Sequence, residues 1–505
     1  MSNQTSPFLN GLSRKKTIMK RIFIVLLKII SLIHWTAGQQ FVIGCYFTNW
    51  AQHRQTPARF LPSHIDPSLC THLYYAFANI DLNNRSPSPF EMNDVKPSPS
   101  TVPVVSAADP LKPGSNGRQN AVVKPPPPMS MYEQFNMMKY KNPQLKTLLS
   151  LGGASVNSTQ FRSAFEPDKT RREFIRNTIK YLRKYKFDGL DLDWEFPETE
   201  NDRRIFSTLV RDYRLEFQHE AFLTSRPRLL LTAAVAAYRP KIEAGYNIKE
   251  VSTYLDYINL MAYDYHGEID FFFQTEMSNF ILFVGSWNAF TGFNSPLYPR
   301  SSEKGDRRLL NQQATVDTWI EGGCPPSKLV LGLGLYGRTF KLKQKKNAET
   351  KPYAPAKGPG LPGNFTASHG FLAYYEICDS VKKHKWHTEY DKEQHVPFAY
   401  KDDQWVGYDN QESIEKKCKY VAERRLAGAM IWSLDFDDFG GAFCGQGKYP
   451  LLTQVKKTLE RLQGPTTPYR VHRTTQPTRN NAVRCSFRSF FSLIFINLIS
   501  IYHFI

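Results

Sequence analysis

Short apolar runs recur eight times along this chain of 505 residues, and this pattern constrains the fold more than any other feature. The runs lie at residues 41–46, 73–78, 145–151, 189–194, 229–235, 257–262, 329–335 and 429–433. Helical patterns lie between them at residues 170–185, 204–222 and 314–322. Repeated strand–helix alternation predicts a parallel (β/α)8 barrel, in which functional side chains gather at the carboxyl ends of the strands.

The fourth run carries an unusual set of acidic side chains. It reads Phe187-Asp188-Gly189-Leu190-Asp191-Leu192-Asp193-Trp194-Glu195-Phe196-Pro197. Side chains alternate between the faces of a strand, so Asp191, Asp193 and Glu195 share one face and Asp188 does not. Three buried carboxylates repel one another, so they must share protons, and at least one pKa is raised. A carboxylic acid kept protonated in this way can act as a general acid. The alternative, a solvated acidic face on an edge strand, is disfavoured by the interleaved apolar residues.

This segment resembles the DxxDxDxE signature of family 18 glycoside hydrolases, the chitinases and their relatives. The resemblance extends over most of residues 41–460. It implies that Glu195 protonates the glycosidic oxygen of chitin or chito-oligosaccharides and later acts as a base toward water. The nucleophile would be the substrate's own 2-acetamido carbonyl oxygen. Asp193 would orient the acetamido group, Asp191 would share a proton with Asp193, and Asp188 would have a structural role.

Further motifs resemble the same family and imply the remaining site residues. The run Met261-Ala262-Tyr263-Asp264-Tyr265 resembles the family's sixth-strand element. Tyr263 would complete the catalytic set by donating its hydroxyl to the acetamido oxygen, and Asp264 would bind sugar hydroxyls. Trp432 would form the floor beneath the sugar, because the apolar face of a hexose stacks on an aromatic ring. The other implied substrate-binding residues are Tyr46, Trp50, Phe77, Gly152, Gly153, Met261, Tyr336 and Arg338.

The chain departs from the family pattern at two places. Ala154 follows Ser150-Leu151-Gly152-Gly153, where family members commonly have Trp, so sugar binding on the leaving-group side should be weaker. A Phe-rich block at residues 268–285 is the second departure. It is either an artefact of the gene model or a real insertion that would occlude the cleft or displace Tyr263 and Asp264. The alternative to a chitinase is therefore a catalytically weak or inactive chitin-binding lectin or growth-factor-like relative.

The composition of the remaining segments suggests how the chain is organised. Residues 1–38 combine a basic stretch with an apolar run, which predicts a secretory signal peptide, with an uncleaved anchor as the alternative. Residues 39–463 would form the catalytic barrel. Within it, the Pro- and Ser-rich stretch 85–130 predicts a disordered insertion. The resemblance implies a small α+β domain at residues 339–409, after the seventh strand, forming one wall of the cleft.

Beyond the barrel, residues 464–486 form a Pro/Thr-rich linker and residues 487–505 form an apolar tail. The tail resembles a glycolipid-anchor signal or a short tail anchor, so membrane attachment through it stays open. We expect a monomer that acts outside the cell. Much of the formal net charge of +19 lies toward the two ends of the chain. No clustered basic face is evident, so nucleic acid is not an expected partner.

Secretion permits disulfide bonds and N-glycosylation. The seven cysteines are Cys45, Cys70, Cys324, Cys378, Cys418, Cys444 and Cys485. Their spacing does not determine the connectivity. The resemblance implies the pairs Cys45–Cys70 and Cys378–Cys444, leaves Cys324 and Cys418 as a plausible third pair, and places Cys485 outside the domain.

No cysteine or histidine cluster suggests a metal, and no cofactor is expected. Glycosylation sequons begin at Asn84, Asn157 and Asn364.

Overall fold

The computed structural model describes residues 40–96, 129–269, 286–343 and 350–463. The predicted signal peptide, linker and apolar tail therefore lie outside the described residues, as does Cys485. Among the helices that are described, none has the length and apolar character needed to cross a membrane.

Eight parallel strands close into a barrel. In chain order they are Val42–Thr48, His72–Asp81, Lys146–Gly152, Gly189–Asp193, Leu230–Val235, Tyr257–Leu260, Leu329–Gly334 and Gly428–Trp432. Each strand pairs with its neighbours in sequence order, and the first strand pairs with both the second and the eighth. Each strand overlaps one of the eight apolar runs, so the predicted barrel is confirmed.

Helices surround the barrel. They are Met131–Asn136, Met138–Lys141, Ser158–Phe165, Asp168–Lys184, Glu200–Thr224, Arg239–Gly245, Ile248–Tyr254, Gln312–Glu321, Gln411–Glu423 and Pro450–Gln463. The helix after the fourth strand begins with a reciprocal cap, because Thr199 Oγ1 accepts from Asp202 N at 3.1 Å and the Asp202 carboxylate accepts from Thr199 N. Arg162 also binds Asp202, with 2.6 Å between Nε and Oδ1. This ion pair connects the helices that flank the fourth strand.

The expected α+β domain follows the seventh barrel strand and is confirmed. Its antiparallel sheet contains the strands Tyr336–Leu342, Ala356–Pro359, Phe371–Ala373, His387–Asp391, Val396–Lys401 and Gln404–Gly407. One helix, Tyr374–Lys382, packs with this sheet. The sheet begins at Tyr336, before the expected boundary at Thr339. Buried residues such as Phe340 and Trp405 give the domain an apolar core of its own.

The disorder predicted for residues 85–130 is wrong at both ends of that stretch. Ser86–Pro89 forms an edge strand antiparallel to the second barrel strand, a position that tolerates proline. The short helix Met92–Asp94 follows, and the buried Asp94 carboxylate accepts from Tyr75 Oη at 2.5 Å. At the other end, Ser130 caps the helix Met131–Asn136. Residues 97–128 lie outside the described residues.

The Phe-rich block is described only at its two ends. Glu268–Ile269 and Ser286–Trp287 pair as short antiparallel strands. Beside them, Gly267 N donates to Asn288 Oδ1 at 2.8 Å, and Asn288 N donates to Gly267 O at 3.0 Å. The two ends of the block therefore lie side by side, and residues 270–285 lie outside the described residues.

Two disulfides are present, and both are the pairs that the resemblance implied. Cys45 binds Cys70, and Cys378 binds Cys444. The suggested third pair is wrong, because Cys324 and Cys418 are separate free thiols. Cys324 follows one outer helix and Cys418 lies inside another, and each is packed into the main apolar core.

Candidate active site

Asp191 lies inside the barrel at the centre of a hydrogen-bond network. Its Oδ2 accepts from Tyr46 Oη at 2.6 Å and from Ser150 Oγ at 2.8 Å. Its Oδ1 accepts from Thr232 Oγ1 at 2.5 Å and from Asn259 Nδ2 at 3.2 Å. The four donors come from the first, third, fifth and sixth barrel strands, so the side chain must point into the barrel. Burial raises the pKa of Asp191 to about 6, and these hydrogen bonds oppose the rise.

Asp193 shares this face of the strand but has a different environment. It is 2% exposed, and its Oδ1 has no hydrogen-bond partner among the described residues. Burial first, and then the negative charges of Glu195 and Asp191, raise the pKa of Asp193 well above its usual range. Proton sharing between Asp191 and Asp193 stays a prediction, and the Asp191 charge is one of the causes of the raised pKa of Asp193. Both the burial of Asp193 and the neighbouring negative charges favour its protonated form.

Glu195 follows the fourth strand and lies at the wall of a cavity of about 380 Å³. The preceding residue, Trp194, points the other way and is buried. Its ring stacks on Phe161 with 4.8 Å between centroids, and its Nε1 donates to Ser158 Oγ at 2.9 Å. These contacts hold the backbone that presents Glu195 to the cavity.

The cavity brings together most of the residues that the sequence predicts. They are Tyr46, Trp50, Phe77, Asp193, Glu195, Met261, Tyr263, Asp264 and Trp432. Trp432 lies among the aromatic residues, with 5.3 Å between ring centroids to Tyr46 and 5.8 Å to a nearly parallel Phe77. Burial, followed by the charges of nearby carboxylates, raises the pKa of Tyr263 well above its usual range. Its hydroxyl therefore remains a hydrogen-bond donor.

Two of the predicted substrate-binding residues contact Asp264 in this structure. Asp264 Oδ1 accepts from Tyr336 Oη and from Arg338 Nε, each at 2.7 Å. Tyr336 is 2% exposed, and neither it nor Arg338 is among the cavity-lining residues. The backbone of Asp264 has a positive φ of 60°, and its N–H donates to Asn294 Oδ1 at 3.0 Å. The structure thus places Tyr336 and Arg338 behind Asp264, where they hold its carboxylate at the cavity.

Gly152 and Gly153 also lie behind the cavity wall rather than on it. Both have positive φ, and a Cβ on Gly152 would lie 2.0 Å from Asp193 O. A Cβ on Gly153 would lie 2.5 Å from the Phe77 ring, and Gly153 N donates to Asp193 O at 2.8 Å. The absence of side chains at these two positions therefore lets the third strand approach the fourth closely, and their contact with substrate stays a prediction. Ala154, the next residue, does line the cavity.

The sequence missed three residues of the cavity wall: Phe90, Ser155 and Ala234. Phe90 follows the edge strand Ser86–Pro89, and its ring centroid lies 6.3 Å from that of Trp50. Its position inside a Pro- and Ser-rich stretch concealed it. Ser155 follows the Ala154 departure, and Ala234 is a small residue within an apolar strand. Neither of these two carries a signal that separates it from ordinary core or loop residues.

Asp188, the remaining acidic residue of the signature, lies away from this cavity. Its Oδ2 binds Lys139 Nζ at 3.0 Å and accepts from Thr147 N at 2.8 Å. Asp188, which precedes the fourth strand, is therefore connected to the start of the third strand. This contact fits the structural role expected from strand parity. Across the part of the chain that the structure describes, no His, Cys, Asp and Glu side chains form a group that could hold a metal ion.

Comparisons with known proteins agree with this geometry. The family model for glycosyl hydrolases family 18 matches residues 42–437. Chitotriosidase-1 of Mus musculus is 38% identical over 432 residues, which cover 85% of this chain and 80% of that protein. Chitinase-3-like protein 2 of Homo sapiens is 37% identical over 436 residues, which cover 86% of this chain and 96% of that relative.

A solved structure adds a relative of a different kind. Human YKL-39, described as a pseudo-chitinase with retained chitooligosaccharide binding properties, matches with a TM-score of 0.70 and 37% identity. The match covers 83% of this chain and 100% of that structure. A protein named as a chitotriosidase and a protein described as a pseudo-chitinase are therefore both similar to this chain. Since the family model spans most of the barrel, the chain belongs to family 18 of the glycosyl hydrolases.

Proposed function

We propose that the protein hydrolyses the β-1,4 linkages of N-acetylglucosamine polymers with net retention of anomeric configuration. The observation that carries this proposal is the environment of Asp193. Asp193 is a buried carboxyl group whose pKa is raised well above its usual range. Burial is the largest cause of this rise, and the negative charge of Glu195 is the second largest. Two coupled carboxyl groups in this situation keep one proton between them near neutral pH. A proton is thus available at the cavity wall where the glycosidic oxygen would lie.

In the first step, the proton passes from Asp193 to Glu195, and Glu195 gives it to the glycosidic oxygen as the bond to the anomeric carbon breaks. The electron pair of the 2-acetamido carbonyl oxygen forms the new bond to that carbon and closes an oxazolinium ring. Asp193, now a carboxylate, accepts the acetamido N–H and stabilises the positive charge of the ring. The Tyr263 hydroxyl donates to the acetamido oxygen and positions it for attack.

In the second step, Glu195 acts as a base. It takes a proton from water while the water oxygen bonds to the anomeric carbon and the ring opens. The acetamido group is restored, Glu195 is protonated again, and two inversions give net retention. Throughout, Trp432 would support the sugar ring from below, since its contacts with Tyr46 and Phe77 hold the indole at the base of the cavity.

A second candidate function is the binding of chito-oligosaccharides without hydrolysis. Ala154 favours it, because this exposed residue lines the cavity where family members commonly carry Trp. The description of human YKL-39 shows that a relative with 37% identity binds such ligands as a pseudo-chitinase. The presence of Glu195, Asp193 and Tyr263 around one cavity supports the hydrolytic function instead.

We also propose that the protein acts outside the cell, at the cell surface if the apolar tail serves as an anchor. Two disulfides support an oxidising compartment.

The test is hydrolysis of an N-acetylglucosamine oligomer by the secreted protein and its Glu195→Gln variant, with oligomer binding measured for both. The proposal predicts turnover by the wild type, no turnover by Glu195→Gln, and similar affinity for the oligomer. Binding without turnover by either protein would establish the second candidate function.

A further inference from the structure

A second groove adjoins the catalytic cavity and shares Trp50 with it. It has a volume of about 540 Å³ and is more open than the cavity. Arg54, Phe436 and the turn formed by residues 364–368 are among the residues that line it. A sugar chain that occupies the cavity and continues past Trp50 would enter this groove.

The turn contains the sequon Asn364-Phe365-Thr366. Asn364 is exposed to solvent. Its side chain makes no hydrogen bond to any residue that the structure describes. An exposed Asn amide in an Asn-x-Thr sequence is the acceptor for N-linked glycosylation in secreted proteins.

The Glu376 carboxylate holds this turn in place. Its Oε1 accepts from Phe365 N at 2.8 Å and from Thr366 N at 2.9 Å, and its Oε2 accepts from Thr366 Oγ1 at 2.7 Å. A Cβ on Gly363 would lie 2.3 Å from this carboxylate, so the turn and Glu376 are closely packed. The Phe365 ring packs against Phe443 with 5.4 Å between centroids. Asn364 is therefore held at the groove by its neighbours rather than by its own side chain.

We propose that Asn364 carries an N-linked glycan that closes this groove to long sugar chains. In the secretory pathway, Asn364 Nδ2 would attack C1 of the first N-acetylglucosamine of a lipid-pyrophosphate-linked oligosaccharide. The N–C1 bond forms, the C1–O bond to the pyrophosphate breaks, and Nδ2 loses one proton. The product is a bulky, hydrated group fixed to the groove wall.

The consequence is selectivity for short oligomers. An oligomer that fits within the catalytic cavity does not reach residues 364–368. A longer chain that extends past Trp50 must compete with the glycan for the groove. This inference rests on the proposed function for its substrate class and on secretion for the glycan.

The sequons at Asn84 and Asn157 differ from that at Asn364 in their surroundings. Asn84 Nδ2 donates to Asp81 Oδ2 at 2.7 Å, and Asn157 Oδ1 accepts from Gln160 N at 3.0 Å as a helix cap. Neither asparagine lines the groove. Asn84→Gln is therefore a matched control that removes a sequon elsewhere. Thr366→Ser is a second control, since it keeps both the sequon and a hydroxyl for Glu376.

The experiment uses the full chain secreted from a eukaryotic host that glycosylates. Peptide mass spectrometry reports the occupancy of Asn364. Hydrolysis and calorimetric binding of an N-acetylglucosamine trimer and hexamer are then measured for the wild type, Asn364→Gln and the two controls. We expect Asn364 to be occupied, and Asn364→Gln to raise hexamer affinity and kcat/KM several-fold with the trimer unchanged. Enzymatic removal of the glycan from the wild type should reproduce this change, and both controls should match the wild type.

Two results would overturn the inference: an unmodified Asn364, or a hexamer-to-trimer ratio that does not change when the glycan is removed. Failure of the proposed function looks different. If no variant hydrolyses either oligomer but Asn364→Gln binds the hexamer more tightly, the glycan inference stands and hydrolysis is refuted.

Discussion

Asp191 and Asp193 lie on the same face of one strand, yet within the described part of the chain Asp191 receives four hydrogen bonds while Oδ1 of Asp193 receives none. A carboxylate has about four acceptor sites, so Asp191 is saturated by donors from the barrel. Asp193 is left without that stabilisation beside Glu195, and its pKa rises well above the usual range. Neutral donors stabilise the Asp191 carboxylate, whereas the pKa of Asp193, which lines the cavity, is raised well above its usual range.

Asp193→Asn should lower kcat because an amide neither accepts the acetamido N–H as strongly nor stabilises the oxazolinium charge. We expect a loss of roughly 10²- to 10³-fold, which is typical for removing one electrostatic stabiliser. Steady-state hydrolysis of an N-acetylglucosamine oligomer measures this change. Asp188→Asn is the matched control from the same signature, and it should reduce stability while leaving kcat unchanged. Equal turnover by Asp193→Asn and the wild type would refute substrate assistance.

Asp191→Asn should remove one contribution to the pH dependence of the free energy of unfolding. The folded pKa of Asp191, about 6, lies above its usual value of 3.8, so the folded state binds this proton more tightly than the unfolded state. The free energy of unfolding contributed by this group is therefore greatest below pH 4 and falls as the pH rises to about 6. The fall corresponds to about 3 kcal/mol. Urea unfolding of both proteins at pH 4 and pH 7 tests this, and parallel pH profiles would contradict the prediction.

Ala154→Trp should restore an aromatic sugar platform on the leaving-group side. Ala154 is exposed at the cavity wall, so the larger ring can extend into it without displacing core residues. Aromatic stacking contributes about 1 kcal/mol, so oligomer affinity should rise about fivefold. Titration calorimetry measures this gain, with Ser155→Trp as the control for added bulk. If Ala154→Trp binds the oligomer with unchanged or reduced affinity, an aromatic ring at this position does not stack on the sugar.

Tyr336→Phe should weaken sugar binding without changing the proton chemistry. It removes one of the two hydrogen bonds that hold Asp264 Oδ1. A single hydrogen bond to a charged group contributes about 1.5 kcal/mol, so KM should rise roughly tenfold while kcat stays close to the wild-type value. Tyr265→Phe, which removes a buried hydroxyl bonded to Thr315 outside the cavity, is the control. A fall in kcat with unchanged KM would place Tyr336 in the catalytic step.

The sequence predicted the barrel well because strand and helix periods are local signals. Strand parity alone placed Asp191, Asp193 and Glu195 together and separated Asp188. The contacts of Tyr336 and Arg338 with Asp264 could not be predicted in this way, because they join the segment after the seventh strand to the segment after the sixth. Phe90 was missed because proline on an edge strand gives the same composition as a disordered segment.

The stereochemistry of the first product tests the proposed mechanism most directly. Proton NMR of an N-acetylglucosamine oligomer, recorded before mutarotation equalises the anomers, identifies the configuration at the newly formed end. Because the acetamido oxygen attacks first and water second, the mechanism predicts the β-anomer. Initial release of the α-anomer would mean that water attacks directly, and it would contradict the roles proposed for Asp193 and Tyr263.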